Sequence, residues 1–523
     1  MKSADAQNIS FGSLLYKIAV AGALIVYCLW RLPGLLRLSG SVLLLGRYVS
    51  LWFGLPVVLL WSLGESSFKS YLFLILMISG VEYWFRSTLI PISYVYVWLL
   101  AAIAVVKSAI TKQRVFTFKM MSPWFIAYAA FAAIEYLRDP VTPTWGLEMT
   151  TLGARPYFVF FSLILFVVIC PHIFRMDTLL RLPRMIVTCG VIVVMIQVAI
   201  YVSGDPQLGL LFGVKPKEWS LAAIVEGRWA FLHQGAILIF ISSLAMWHAA
   251  KTTGRGTRRW PLMALAALAF VALLFTGTRA WVFGAIVVAI YFLALERRYL
   301  TISAGVGVGL LVALICSNIR IPSENGLAPI VRSFSIPWFN FSGAERSVHA
   351  GGSWNWRVDL WKLALDQIKR TPLWGAGFRL DPYVRSVLTS TYVARNRSYY
   401  NYLINLASGS THQLWLGPFH TFGVLGGLLF LIYYIERVAA AWKLAVTTCR
   451  ERSEYAGSAL FIAAWLIYGT AIGFVDGGTT AMRFYIPAGL SHLLAYAVNN
   501  KIEKPSAGPP AEAAGGSKAI ESQ

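Results

Sequence analysis

Three basic side chains in this sequence combine a chemistry-bearing type with a telling setting: Arg279, Arg357 and His412. Arg357 lies in "SWNWRVDLWKLALDQIKRTP" (353–372), where Trp354, Val358, Trp361, Leu365 and Ile368 recur at spacings of three and four. That periodicity predicts an amphipathic helix at a membrane surface, capped by Ser353 and stopped by Pro372. Asp359 can meet Lys362, and Asp366 can meet Lys362, Lys369 or Arg370, whereas the neighbours of Arg357 at those spacings are Ser353, Trp354, Leu360 and Trp361. A planar guanidinium framed by tryptophans suits a phosphate oxyanion. The plainer alternative is an arginine that snorkels at a lipid interface.

Arg279 interrupts two apolar runs in "FTGTRAW" (275–281). An arginine beside hydrocarbon is costly and marks a functional position by default, with an interfacial anchor beside Trp281 as the bland alternative. The small Thr-Gly-Thr-Arg turn also offers backbone N–H groups at the start of a helix, where an anion is welcome. His412 opens "THQLWLGPFHTFGVLGG" (411–427) and is one of seven histidines. An imidazole exchanges its proton near neutral pH and so suits a general base, although a histidine near a helix start is also a common capping or packing residue. His420, about 12 Å deeper at helical rise, is first a buried hydrogen-bonding residue and second a ligand contact. Gly423 and Gly426 are expected to allow close helix packing. Arg228 and His233 in "VEGRWAFLHQG" (225–235) and Asp476 in "FVDGGTT" (474–480) open further helices on the same side, each as a cap or turn residue or as a ligand. Asp476 can also orient a histidine.

The elements that must hold these residues are membrane helices. The chain has 523 residues, 58% of them hydrophobic and 13% charged, with a mean hydropathy of +0.64, which excludes one or two soluble domains. Runs such as "MIVTCGVIVVMIQVAIYV" (185–202) and "LTISAGVGVGLLVALICSN" (300–318) are long enough as helices to cross about 30 Å of hydrocarbon. About fourteen such runs occur, the first four least distinct. The predicted fold is an all-α polytopic membrane helix bundle of about 12–14 transmembrane helices with one large external loop containing amphipathic helices. Its parts are a first bundle (1–318), the loop (319–411), closing helices (412–498) and a Pro, Gly and Ala-rich cytoplasmic tail (499–523) expected to be disordered.

The net charge of +22 resides mostly in short loops, as in "KTTGRGTRRW" (251–260), and not in a basic soluble domain, which argues against nucleic acid. The positive-inside rule makes those loops cytoplasmic and the 319–411 loop external. That loop is itself basic, and an anionic ligand is one reason for it. Five cysteines show neither pairing nor CxxC spacing. No DxD, HExxH or Walker pattern occurs in the sequence, so neither metal catalysis nor an ATP drive is expected, and no cofactor is predicted. The first apolar stretch, ending in "WRLPG", reads as a membrane helix without a cleavage site.

Four patches in order, "EGRWAFLHQGAI" (226–237), "LLFTGTRAWVFGAIV" (273–287), "WRVDLWKLALDQIKRTPLWGAGF" (356–378) and "THQLWLGPFHTFGVLGGLLF" (411–430), resemble the O-antigen ligase and O-antigen polymerase superfamily of bacterial envelope membrane proteins. The words are altered: Thr278-Arg279-Ala280 stands where such proteins show Ser-Arg-Gly, and Gln413 where they show Asn after the histidine. The resemblance implies a multi-pass enzyme of the bacterial inner membrane with its site facing the periplasm. It implies a metal-independent transfer of a glycan from undecaprenyl diphosphate to a hydroxyl, the acceptor being lipid A-core in a ligase or another lipid-linked glycan in a polymerase. On that footing Arg279 and Arg357 would neutralise the diphosphate and His412 would take the acceptor proton, with Arg228, Trp354 and His420 as further substrate contacts. Loop aromatics such as Trp338, Trp354, Trp374, Tyr399 and Tyr400 would offer flat faces to sugars. Nothing in the chain marks a lipid A partner, which tilts the choice toward a polymerase. The competing class is a flippase of lipid-linked oligosaccharide, which should carry ionisable residues near the bilayer midplane. A third class, a receptor binding acidic glycan, would give no covalent product.

Overall fold

The computed structural model describes residues 66–80, 82–85, 88–111, 120–138, 154–203, 232–254, 259–276, 278–319, 328–335, 348–378, 402, 405–406, 411–474 and 482–503. The fold is all-α. In chain order the helices are α1 (Ser66–Ser79), α2 (Ile92–Thr111), α3 (Pro123–Arg138), α4 (Ala154–Ile173), α5 (Met176–Leu180), α6 (Leu182–Ser203), α7 (His233–Thr253) and α8 (Arg259–Phe275). They continue with α9 (Arg279–Leu295), α10 (Tyr299–Asn318), α11 (Ala328–Phe334), α12 (Val348–Arg370), α13 (Leu416–Arg450), α14 (Ala456–Gly473) and α15 (Met482–Glu503). Six stretches among the described residues are long and apolar enough to cross a membrane: Pro156–Ile173, Leu182–Ile200, His233–Thr253, Tyr299–Asn318, Leu416–Arg450 and Ala456–Gly473. Shorter apolar helices complete the bundle.

The apolar run at 69–85, one of the runs expected to form membrane helices, is divided. α1 ends at Ser79, and a two-stranded antiparallel hairpin, β1 (Glu82–Phe85) and β2 (Thr88–Pro91), precedes α2. The aromatic and β-branched residues of "EYWF" and "TLIP" favour strands over helix. The apolar runs at 14–30 and 41–62 and the tail at 504–523 lie outside the described residues.

α14 is the axis of the second half of the chain. It packs against α7, α9, α13 and α15 and buries nearly its whole surface. α10 is the opposite case, peripheral and largely exposed. The core is dense in aromatics, with Tyr128, Phe160, Phe166, Tyr433 and Tyr485 fully buried. Such rings bring large apolar area at low conformational cost and favour edge-to-face contacts. Tyr128 meets both Phe160 and Phe422 in that manner, at 5.9 and 5.8 Å.

Candidate functional site

Helix α12 carries Arg357 and docks on the turn that carries His412. The Trp361 indole N–H donates to the Thr411 carbonyl at 3.0 Å. Trp356 packs edge-on against His412 at 5.1 Å and also contacts Tyr402 at 5.5 Å. Below these, Leu360, Ala364 and Leu406 form a small buried cluster with Leu416 packed on it. The face of α12 that docks is therefore Leu360, Ala364 and Gln367, rotated from the expected stripe, and Leu365 is exposed. Trp356 and Trp361 are committed to protein contacts, which turns the helix toward the bundle. α12 also starts at Val348, so Ser353 is within it and not its cap, while the end at Arg370, before Pro372, is as expected. The exposed pairs Lys362–Asp359 at 3.9 Å and Lys369–Asp366 at 3.5 Å form at the anticipated spacings. Burial first, and the Asp359 carboxylate second, raise the Tyr402 phenol above its ordinary value, which keeps it a neutral hydrogen-bonding group.

His412 precedes α13 in a left-handed backbone conformation with φ of 49°. The turn around it is held by the Thr411 hydroxyl donating to the Gln413 carbonyl at 2.6 Å and by the Leu414 N–H donating to Gly473, the last residue of α14, at 2.7 Å. His412 and Arg357 are thus fixed in one corner by side chains of α12 and by the end of α14.

The turn after α12, "PLWGAGF" (372–378), inserts into a break in α13. Gly423 interrupts α13 with φ 68° and ψ −172°. The freed backbone is re-satisfied by the turn: Ala376 N–H donates to His420 O at 2.8 Å, Gly377 N–H to Thr421 O at 2.9 Å, and Val424 N–H to Pro372 O at 2.7 Å. Broken helices are stable at membrane depth only where protein supplies such partners. A Cβ at Gly375 would stand 2.3 Å from the Gly423 nitrogen, and one at Gly423 would stand 2.3 Å from the Leu373 oxygen. Gly423 is therefore a backbone break that receives the loop, a role beyond the helix packing expected of it. Phe378 at the end of the turn is buried among Tyr157, Phe160 and Phe422. His420 is buried, with its Nε2 at 2.5 Å from Gln367 Oε1 of α12, so the two halves of the insertion are pinned at a second point.

Trp374 is clamped by α3. Its ring stacks on Phe131 at 5.3 Å with an interplanar angle of 4°, and the Arg138 guanidinium lies 4.9 Å from its centroid. Phe131 and Arg138 are two helical turns apart, about 10.5 Å, so the indole fits between them, and the flat faces expected for a sugar are occupied. On the same face Glu135 is buried, with Arg138 at 3.6 Å and the Tyr157 hydroxyl donating at 3.1 Å. The Tyr157 oxygen also accepts the Phe378 N–H at 3.4 Å. Glu135 is not among the residues that motif and spacing select; its signal in the sequence is a lone acid closing the apolar run "AAIEYLR".

The start of α9 lies on the same end of the bundle. Thr278 at its N-cap makes no side-chain cap; its hydroxyl turns back to the Thr276 carbonyl at 3.3 Å. Trp281 packs on the ring of His233, the first residue of α7, at 4.1 Å, and on Tyr468 of α14 at 6.0 Å. Neither α7, α9, α13 nor α15 has an acidic residue in its first turn, and the N-caps of α7, α9 and α13 make no side-chain cap hydrogen bond. Helix starts of this kind present N–H donors and the positive end of a dipole.

Two contacts thus form: Trp356, the neighbour of Arg357 on α12, with His412, and Trp281 at the start of α9 with His233. Both lean on the end of α14, where Tyr468 and Gly473 are separated by about 8 Å of helix. Arg228, Asp476, Trp338, Tyr399, Tyr400 and the side chain of Trp354 lie outside what the structure describes. Among the described residues no three His, Cys, Asp or Glu side chains converge in a group that could hold a metal ion.

No curated protein matches the chain. Residues 264–431 match the family model described as O-antigen ligase. The matched stretch begins before the Arg279 turn, takes in the α12 helix and its glycine turn, and ends past the break in α13, so it contains Arg279, Arg357 and His412, while His233 lies before it. Over that stretch the chain is similar to the O-antigen ligase family.

Proposed function

We propose that this protein transfers a glycan from undecaprenyl diphosphate to an acceptor hydroxyl at the periplasmic face of the bacterial inner membrane. The observation that carries the reading is the docking of α12 on the His412 turn, which sets an arginine and an imidazole in one corner beside uncapped helix starts. The basic short loops at the opposite ends of the helices support the orientation, since such loops stay cytoplasmic.

The chemistry asks for two things. The bond from the anomeric carbon to the diphosphate oxygen must break, so negative charge grows on the leaving group. The acceptor oxygen must lose its proton as it bonds to that carbon from the opposite side, inverting it. Arg357 and Arg279, with the α9 N–H groups, oppose the growing charge without a metal ion, and His412 takes the acceptor proton. Gln367 and His420 anchor α12 against α13, so His420 acts by position. The basic external loop and Arg228 extend the site toward the rest of the donor.

The test is transfer by the purified chain in liposomes, supplied with an undecaprenyl-diphosphate glycan and either lipid A-core or a second lipid-linked glycan. Product on lipid A-core marks a ligase, and a lengthened lipid-linked chain marks a polymerase, the outcome favoured here. A wild-type protein that moves intact lipid-linked glycan between leaflets without either product would instead be a flippase, and would sink the proposal.

A further inference from the structure

A further hold on the glycine turn comes from α3 and α4, both outside the matched stretch. Glu135, near the end of α3, is fully buried. A buried carboxylate is tolerated only where it is paired and hydrogen-bonded. Arg138 approaches it at 3.6 Å, and the Tyr157 hydroxyl of α4 donates to it at 3.1 Å. Each of these partners touches the turn in its own right. The Arg138 guanidinium lies 4.9 Å from the centroid of the Trp374 ring, and the Tyr157 oxygen accepts the Phe378 N–H at 3.4 Å. A phenol has a single proton. Donated to Glu135, it leaves the oxygen lone pairs of Tyr157 for the Phe378 N–H, so the acid sets the direction of that bond. One carboxylate therefore reaches both ends of the 372–378 turn, by two routes on two helices.

An ion pair at a helix end explains less than this. Arg138 in the last turn of α3 suits the helix dipole and pairs with Glu135 three residues back, as it would on any exposed helix. Neither effect accounts for the burial of the acid, nor for a tryptophan from a remote segment seated between Phe131 and Arg138. Phe131 also ties α3 to α13: a Cβ at Gly426 would stand 2.9 Å from its ring, just past the break that receives the turn. The turn follows directly on α12, so its seat sets the angle at which α12, with Arg357, lies against the His412 turn.

We propose that Glu135 is a positioning residue of the transfer site: through Arg138 on Trp374 and through Tyr157 on Phe378 it holds the 372–378 turn in the break of α13, and so fixes α12 over the His412 turn. The consequence for rate rests on the proposed reaction; the hold on the turn rests on the contacts alone.

The discriminating variant is Glu135→Gln, which keeps the size of the side chain and an acceptor for the Tyr157 hydroxyl but removes the charge facing Arg138. Amide hydrogen exchange of the full chain in nanodiscs reads the turn with no substrate present, and transfer kinetics in liposomes read the site. The Ala376, Gly377 and Phe378 amides are all hydrogen-bonded. Their exchange should quicken about tenfold, the worth of one charge-assisted hydrogen bond, with exchange in α14 and Tm unchanged. Both kcat and kcat/KM should fall by about tenfold, since a displacement of about 1 Å costs up to about 10² in rate. Wild-type exchange at the turn overturns the inference. So does exchange raised equally throughout the bundle with a lower Tm, which makes Glu135 a general stability element. A cycle of Arg138→Gln and Trp374→Ala tests one route without touching the buried acid. Each should lower kcat, and the double variant should be no slower than Trp374→Ala, because Arg138 acts through that ring; additive losses, or none, overturn the route and the inference with it. If the wild type yields no product with any acceptor, the proposed reaction fails, while quickened exchange confined to the turn in Glu135→Gln still upholds the hold on the turn. If wild type and Glu135→Gln transfer equally well, the reaction stands and the inference fails.

Discussion

The two ends of the helix bundle treat charge in opposite ways. At one end Glu296 is almost fully buried and faces two cations, Lys251 at 2.8 Å and Arg298 at 2.9 Å, with the His248 ring at 3.4 Å. Toward that same end, Arg437 donates to Glu436 at 2.6 Å and to His492 Nδ1 at 2.9 Å, and the Ser122 hydroxyl donates to the second Glu436 oxygen. Carboxylate and cation are interleaved there, and the contacts tie α7 to the end of α9 and α13 to α15 and the start of α3. At the other end Arg279 and Arg483 lie in the first turns of α9 and α15 and His412 just precedes α13, and the first turns of α7, α9, α13 and α15 contain no acid. The buried carboxylate described there, Glu135, is turned to Arg138 and Tyr157 under the glycine turn. One end interleaves carboxylates with cations; the other sets basic side chains near helix starts whose first turns contain no acid.

That contrast can be broken in graded steps. The largest expected effect is that of His412→Ala, which should insert and fold normally yet lower transfer by about 10²–10⁴, as removal of a general base does; turnover near wild type would end the assignment. Next is Gly423→Ala. A methyl group there meets the Leu373 oxygen in a left-handed backbone, so the insertion of the 372–378 turn should weaken by about 3 kcal/mol. Faster proteolysis at the 372–378 turn, together with lost transfer, would report it, and an unaltered digestion pattern would count against the described docking. Arg357→Lys should cost roughly tenfold in kcat/KM, the worth of one charge-assisted hydrogen bond, with no change in Tm.

At the other end the sign of the effect moves from activity to stability. Glu296→Gln leaves His248, Lys251 and Arg298 without their shared carboxylate, and should cost about 1–3 kcal/mol, discounted because Lys251 and Arg298 are partly exposed. A lower Tm with unchanged kcat in the surviving folded protein is the expected result; a kcat loss at normal Tm would mean that the two ends are coupled. The smallest effect should come from Asp359→Asn, whose ion pair with Lys362 is exposed on both sides. Activity and Tm should both stay at wild-type values.

Much of the fold was legible in the residues. α4, α6, α7, α10, α13 and α14 appear where the apolar runs lie, because runs of this length have no other way to satisfy their backbone in a bilayer. The end of α12 before Pro372 and its two ion pairs were equally readable, since they depend on neighbours three or four residues apart. The face by which α12 docks was not, because Trp361 trades a lipid contact for the Thr411 carbonyl, a partner fifty positions away in the chain. The same holds for Gly423, whose spacing suggests helix packing alone until the 372–378 turn supplies the missing hydrogen bonds.

What the sequence by itself determined, then, is a multi-pass helical membrane protein, the basic and imidazole side chains that could act on a phosphate and a proton, and the ordered patches that resemble the O-antigen ligase family. These follow from composition, local periodicity and short motifs, all of which act over a few residues. The tertiary structure alone decided which of those side chains meet: Arg357 beside the His412 turn, Trp374 between Phe131 and Arg138, Arg483 over Trp281. Each meeting joins helices remote in the chain, and it depends on glycine-sized approaches and aromatic packing that no local pattern encodes.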